Sequence, residues 1–364
     1  MKESISWWRT SFGEEEIQCI AESIRNECVS QGKVTKQFEQ DLSELLEVEH
    51  VIAVSSGSTA LLMALMAVGV VPGDEVILPN RTWISTAHAV HLLGAKVVLV
   101  DVLPECPIID TGQIEERINS KTKAIIPVHM NGRSAGMAKI RDIAKRYSLF
   151  VIEDAAQAIA SRNNDGYLGT QSEIGCFSLS VAKTIATGQG GFAVTNNGDL
   201  AKRMRSIRTH GVENVKDPKN WVMPGFNFRF TDVQASMGIV QLKRLPERIE
   251  KLKDIYFHYA DGLKNTPFQL IPVNLGAGEI PVYSEFLVNN RIEWIRRLEE
   301  KGIEVRPFYP DIDKAPYLLK QKQEFPNSRR YGIEGIYLPS GPKQSNSNIK
   351  TVIKTIESLN GFKK

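Results

Sequence analysis

One lysine, Lys183, stands between a strand-like run, Phe177-Ser-Leu-Ser-Val181, and a glycine-rich turn from Gly188 to Gly191 that opens the apolar Gly191-Phe-Ala-Val194. Such surroundings point to burial, which favours the neutral amine over the ammonium. A neutral amine is the nucleophile that condenses with an aldehyde cofactor such as pyridoxal phosphate. Upstream, the very apolar Phe150-Val-Ile152 ends in Glu153-Asp154-Ala-Ala-Gln157. Carboxylates at the carboxyl end of a parallel strand stand where ligands bind in open α/β sheets. An aspartate there can keep a pyridine nitrogen protonated, and Gln157 can hydrogen-bond another edge of the ring. An N-cap aspartate with a solvated glutamine is the competing account of the same residues.

The elements that must position these groups are a strand, Val51-Ile-Ala-Val54, the small-residue turn Ser55-Ser-Gly-Ser-Thr-Ala60, and an apolar helix from Leu61 to about Val68. A helix start aims unpaired N–H groups and the positive end of its dipole outward, which suits a phosphate. Ser58 and Thr59 add hydroxyls, although an ordinary Ser/Thr cap reads the same way. Strands are expected at Val76-Ile-Leu78, Val97 to Val100, Ala124 to Val128 and Gly191 to Thr195, with helices over Thr82–Val90, Leu200–His210 and Val233–Leu242. Strands alternating with helices imply a mostly parallel sheet covered on both faces. Trp83, near a strand-to-helix corner, can stack on a flat ring or simply pack a core. His88 and His129 read as structural histidines.

Beyond about residue 245 the texture changes to charged helices, Ile249–Leu263 and Ile292–Lys301, and short strands at Val282–Leu287 and Ile303–Val305. We therefore expect an α/β protein with a large domain over 1–245, N-terminal helices included, and a smaller α+β domain over 246–364. The 364 residues carry 45 basic and 42 acidic side chains, a net +3 that argues against nucleic-acid or membrane-surface binding. Cys19, Cys28, Cys106 and Cys176 show no metal-ligand or disulfide spacing, so no metal is expected. The N-terminus lacks a signal-peptide core, and no apolar run reaches the roughly 18–20 residues of a membrane span. A cytoplasmic setting is the expectation.

In order and spacing, these segments resemble the DegT/DnrJ/EryC1/StrS sugar aminotransferases, fold-type I pyridoxal-phosphate enzymes. The S-G-T-x-A-L of that family stands here as Ser56-Gly-Ser-Thr-Ala-Leu61, its P-x-x-T-aromatic as Pro79-Asn-Arg-Thr-Trp83, and its E-D-A-A-Q as Glu153-Asp-Ala-Ala-Gln157. Its F-S-F…K…T-G-E-G-G stands as Phe177-Ser-Leu…Lys183…Thr187-Gly-Gln-Gly-Gly191, and its G-Y-N-Y-R…Q-A as Gly225-Phe-Asn-Phe-Arg229…Gln234-Ala235. The resemblance implies that Lys183 carries pyridoxal 5'-phosphate, which cycles through pyridoxamine 5'-phosphate, and that Asp154 pairs with the ring nitrogen. It implies that Gln157 contacts the ring hydroxyl, that Trp83 stacks on the ring, and that Gly57, Ser58, Thr59 and Ser178 hold the phosphate end. Asn227 is to reach the cofactor from a neighbouring subunit, which requires a homodimer with shared sites.

Gly302-Ile-Glu-Val-Arg-Pro-Phe-Tyr-Pro310 resembles a segment of perosamine-synthase-like members, making Arg306 and Tyr309, with Arg229, candidate substrate contacts. The implied reaction moves an amino group from an amino acid, L-glutamate, to a nucleotide-linked keto sugar. Ile159-Ala160, Glu173, Gln189 and Ile312-Asp313 depart from the family's usual residues. Of these, Ile159-Ala160 and Asp313 leave open a small phosphorylated ketone or a cyclitol as acceptor. A pyridoxamine-dependent sugar dehydratase, which carries histidine in the lysine's place, and a non-catalytic binding or regulatory protein are the remaining readings.

Overall fold

A computed structural model describes residues 4–214, 221–318 and 322–361. In chain order, β1 (His50–Val54), β2 (Glu75–Pro79), β3 (Lys96–Val100), β4 (Thr122–Ile125), β5 (Phe150–Asp154), the small hairpin β6 (Arg162–Asn163) and β7 (Gly166–Tyr167), β8 (Ile174–Ser178) and β9 (Gly191–Thr195) come first. Seven of them form a sheet in the order β1-β9-β8-β5-β4-β2-β3. Only β9 runs antiparallel to its neighbours; the pairs β5–β8, β4–β5, β2–β4 and β2–β3 are parallel. The expected mostly parallel sheet is present.

Helices α1 (Glu14–Arg25) and α2 (Lys33–Leu46) precede the sheet, α3 (Gly57–Ala67), α4 (Ser85–His91) and α5 (Met137–Tyr147) connect its strands, and α6 (Gly198–Arg208), α7 (Asp232–Lys243) and α8 (Leu245–Gly262) follow it. Its strands are largely apolar, with polar residues mainly at their ends, because both faces are covered. Successive side chains alternate between the two faces. Ile52, Val76, Leu78, Ile152 and Cys176 pack with α3 and α4, whereas Val51, Phe177 and Phe192 pack with α2, and Ile77, Ile125 and Val151 with α5. This alternation decides what the end of β5 does.

A second sheet, wholly antiparallel, joins β10 (Gln269–Leu270), β11 (Ser284–Leu287), β13 (Gly335–Leu338) and β12 (Arg306–Pro307) in that order. With α8, α9 (Arg291–Glu300) and α11 (Asn346–Gly361) it encloses its own core of Tyr259, Phe286, Trp294, Leu298, Ile349 and Val352. Helix α10 (Pro326–Glu334) leads into β13.

Three local expectations shift. Helix α3 begins at Gly57 rather than Leu61, since Ser56 caps it. Helix α4 starts at Ser85, after the Thr82-Trp83 corner. Ile303 does not join the ladder; it bridges Ile5, whose N–H and C=O bond Gly302 O and Glu304 N, each at 2.8 Å. Residues 5–9 thus lie along the second sheet's segments, and Ser340 N–H donates to Trp7 O at 2.7 Å. No described helix is long and apolar enough to cross a membrane.

Candidate active site

The first turn of α3 is closed by a capping box: Ser56 Oγ accepts from Thr59 N–H at 3.1 Å, and Thr59 Oγ1 accepts from Ser56 N–H at 3.0 Å. Thr59 therefore does not offer its hydroxyl to a ligand. It donates it to Ser56 O at 2.8 Å and stays outside the cavity lining. Ser58, one residue earlier, is exposed to the cavity and donates to Ser85 Oγ at 2.8 Å at the start of α4. The amides of Gly57 and Ser58 lack helical partners by geometry. Gly57 has no room for a side chain, because a Cβ would lie 2.9 Å from Ser178 Cβ. One on Gly191 would lie 2.5 Å from Gly57 N. The start of α3, the end of β8 and the start of β9 thus meet backbone to backbone, which places Ser178 beside Gly57.

At the end of β5 the two carboxylates separate, as strand alternation requires. Asp154 shares the face of Ile152. It is 5% exposed, lines the cavity, accepts from Thr86 Oγ1 at 2.7 Å through Oδ2 and from Ala156 N–H at 3.2 Å through Oδ1. Burial pushes its pKa up, against the pull of those two donors and the charge of Lys183. Glu153 turns the other way, accepting from Gln171 N–H, Ser172 Oγ and Gly169 N–H at 2.7–2.9 Å and so fixing the 169–172 loop. His129 Nδ1 accepts from Ala135 N–H, which leaves Nε2–H to donate to Glu153 at 2.8 Å. Its role is structural, as its isolation in sequence suggests.

Lys183 lies on a loop clamped from several sides. Leu179 N–H donates to Gly190 O, and the buried Arg248 donates to Thr184 O. Trp8 Nε1 and Thr10 Oγ1 both donate to Val181 O, at 3.1 and 2.6 Å. The lysine is half-buried and opens into the cavity, where its Nζ donates to Tyr283 Oη at 3.3 Å. Burial lowers its pKa from 10.5 to about 8, with Asp154 opposing the shift. The reactive neutral amine therefore grows in as pH rises through about 8. In stopped-flow absorbance measurements, covalent capture of pyridoxal phosphate by the cofactor-free protein should accelerate with that midpoint. A rate flat for about two pH units around it would contradict this.

The cavity, about 420 Å³, gathers Gly57, Ser58, Trp83, Asp154, Gln157, Ser178, Lys183, Arg306 and Tyr309. Gln157 Oε1 accepts from Asn131 N–H at 2.9 Å, which leaves its NH₂ group for a ligand. Trp83 is 55% exposed and meets Tyr309 edge-on at 5.6 Å, forming a cavity wall instead of core. Arg306 lies over Trp7 at 4.6 Å and is tied to Glu304 at 2.9 Å. Asn227 and Arg229 are not in this cavity; they bond each other at 2.8 Å beside the stacked Phe226 and Phe228. Thr86, Ser85, Tyr283, Asn131, Trp7 and Tyr337 complete the site or hold it, and the motifs alone do not reveal them. Thr86 had a faint signal: it sits one helical turn from Thr82, which it meets at 3.0 Å.

The departures divide cleanly. Asp313 bonds Arg329 at 2.9 Å and Asn80, and Glu173 accepts from Val151 N–H. Neither they nor Ile159-Ala160 line the cavity, whereas Gln189 does. Among the described residues no cluster of His, Cys, Asp and Glu could hold a metal ion.

The DegT/DnrJ/EryC1/StrS aminotransferase family model matches residues 10–357. The chain belongs to that family. It is 33% identical over 347 residues to GDP-perosamine synthase of Caulobacter vibrioides, covering 91% of each chain. It is 34% identical over 350 residues to the enzyme of that name from Escherichia coli O157:H7, covering 93% of this chain and 94% of the other. A DegT/DnrJ/EryC1/StrS aminotransferase of Brucella abortus superposes with a TM-score of 0.88 at 29% identity, over 95% of both chains. The protein is a pyridoxal-phosphate-dependent aminotransferase of the sugar aminotransferase family. Its cavity fits that cofactor: a lysine of depressed pKa, a buried carboxylate bonded only to neutral donors, and hydroxyls at a helix start that no larger residue than Gly57 would allow.

Proposed function

We propose that the enzyme transfers the amino group of L-glutamate to a nucleotide-linked 4-keto-6-deoxy sugar in two half-reactions at one site. The observation that carries this reading is the opening of Lys183 and the buried Asp154 carboxyl into one cavity rimmed by Trp7, Arg306 and Tyr309. When bound, pyridoxal phosphate supplies an aldehyde that takes an amine and a ring that draws electrons from the bond being broken. Lys183 first holds the cofactor; displaced by the donor's amine, it moves the proton off the donor carbon, and in the second half-reaction it delivers one to the acceptor carbon. Asp154, oriented by Thr86, holds a negative charge beside the ring nitrogen. Gln157 serves the ring hydroxyl and Trp83 the ring face, while Gly57, Ser58 and Ser178 hold the phosphate.

The Gly302–Pro310 segment and the perosamine synthase relatives support a sugar nucleotide acceptor, with Arg306 and Tyr309 as its contacts. Positions Ile159-Ala160 and Asp313, which keep small phosphorylated ketones and cyclitols open in the sequence, lie outside the cavity and give those acceptors no support. The proposal includes a homodimer in which Asn227, with Arg229 bonded to it, serves the partner's site. The exposed Trp221, Val222 and Phe226, within six residues of Asn227 in the chain, support a contact surface there. It also divides the chain near residue 245 and sets it in the cytoplasm, where the four free cysteines are at home.

The test is to convert the enzyme to its aminated form with L-glutamate, desalt it, and add candidate ketones while following absorbance. Nucleotide-linked 4-keto-6-deoxy sugars should restore the aldehyde-form spectrum; restoration by small phosphorylated ketones alone would overturn the acceptor. Mixing inactive Lys183→Ala and Asn227→Ala chains should regenerate activity in hybrid dimers, and failure to do so would remove the shared site.

A further inference from the structure

Hydrogen bonds that run partly through the backbone link Gln157, Asn131, Tyr283 and Lys183, of which all but Asn131 line the cavity. Gln157 Oε1 accepts from Asn131 N–H at 2.9 Å. The Asn131 carboxamide then grips the backbone of Tyr283 on both sides, accepting from its N–H at 2.6 Å and donating to its C=O at 3.0 Å. Asn131 is fully buried and left-handed, with φ of 53°, a conformation that asparagine tolerates better than most residues. The far end of this linkage is the Tyr283 hydroxyl. It donates to Ala182 O at 2.8 Å and accepts from Lys183 Nζ at 3.3 Å.

We propose that Tyr283 is a positioning residue for Lys183: its hydroxyl is a fixed acceptor that aims the amine, and Asn131 sets that hydroxyl in register with the ring contact Gln157. The proposal rests on the reading of Lys183 as the cofactor amine. Because the tyrosine proton is committed to Ala182 O, the oxygen offers Nζ only a lone pair. Burial also holds this phenol well above its usual pKa, so it stays neutral. One Nζ–H is thereby directed at Tyr283, and the nitrogen lone pair is kept off that side. Tyr283 lies just before β11 of the second sheet and Asn131 in the loop after β4, so the amine on the loop between β8 and β9 of the first sheet is aimed by the residue that leads into the second. The ring itself is held by Trp7, Trp8 and Tyr337 at centroid distances of 5.5–6.0 Å, contacts that do not need the hydroxyl.

Tyr283→Phe keeps that packing and deletes the acceptor. An acceptor favours the charged, better-donating form of the amine, so its loss lowers the lysine pKa. Competitive acylation of the cofactor-free protein against pH, with the Lys183 peptide quantified by mass spectrometry, should place the midpoint about half a unit or more below the wild type. In the loaded enzyme kcat should fall roughly 10–100-fold with both KM values within about twofold, the pattern of a lost transition-state contact. As a second probe that preserves fold and hydroxyl, 3-fluorotyrosine placed at 283 weakens the acceptor and should move the Lys183 midpoint in the same direction by less. An unchanged midpoint in both proteins, with Lys183→Ala still inactive, would overturn the positioning role alone. An active Lys183→Ala would instead overturn the underlying assignment.

Discussion

Lys183→Ala should leave a folded protein that binds pyridoxal phosphate but attaches none of it: after borohydride reduction, mass spectrometry finds the cofactor on the Lys183 peptide of the wild type and nowhere in the variant. Transamination should fall by roughly four orders of magnitude or more, the top of the range for a positioned acid–base group, because one substitution removes both the tether and the proton carrier. Noncovalent binding persists because Asp154, Gln157, Trp83 and the hydroxyls around Gly57 are untouched. Stability should not suffer. Burial holds the ammonium below its ordinary pKa, so the wild-type cofactor-free chain bears a penalty that is complete below about pH 8 and fades as pH rises from there toward 10.5. The alanine chain lacks that penalty and should melt no lower at neutral pH in calorimetry. Retention of most activity would overturn the assignment of the lysine.

Asp154→Asn should separate chemistry from binding. The amide matches the carboxylate in size and can still accept from Thr86, so the pocket keeps its shape. It cannot hold a proton on a ring nitrogen by charge. Breaking a buried charge pair in this way costs about 3–5 kcal/mol, which corresponds to a loss in kcat of roughly 10²–10⁴-fold. Cofactor affinity, shared among many contacts, should change by only about tenfold, the scale of one charge-assisted hydrogen bond. The cofactor-free variant should be as stable as its parent, since burial already disfavours the ionised carboxyl. A turnover number equal to the wild type's, measured with saturating cofactor, would show that ring protonation is not the task of Asp154.

The chemistry-bearing groups that sequence reveals are those set by local order. Lys183, Asp154, Gln157, Ser58 and Ser178 each lie within a few residues of a strand end or helix start, and period-2 alternation explains why Asp154 and not Glu153 faces the cavity. The same local logic leaves Thr59 open between a phosphate contact and a cap, and a serine three residues before it engages its hydroxyl in the cap. It also placed a strand at Ile303–Val305 that Ile5 intercepts. Tyr283 and Asn131 were illegible for a different reason. They are separated by 152 residues, and neither carries a charge, a glycine or a spacing that marks it. Their meaning arises only when the second sheet docks beside the first. Arg306 and Trp7, nearly 300 residues apart in the chain, meet for the same reason.

The N-terminal segment bears on how the enzyme comes into being. Trp7 N–H is bound by Glu304, 297 residues later, and Ser6 O by Gln344, 338 residues later, while Trp8 and Thr10 of the same segment secure the carbonyl of Val181 beside the lysine. On a ribosome adding about 5–20 residues per second, residues 6 and 7 wait for their partners until positions 304 and 344 have emerged. The parallel sheet and its lysine loop can form well before then, but in a nascent chain the cavity stays open on the side that Trp7 and Arg306 will close. Closure of the cavity on that side therefore needs segments made some 300 residues apart.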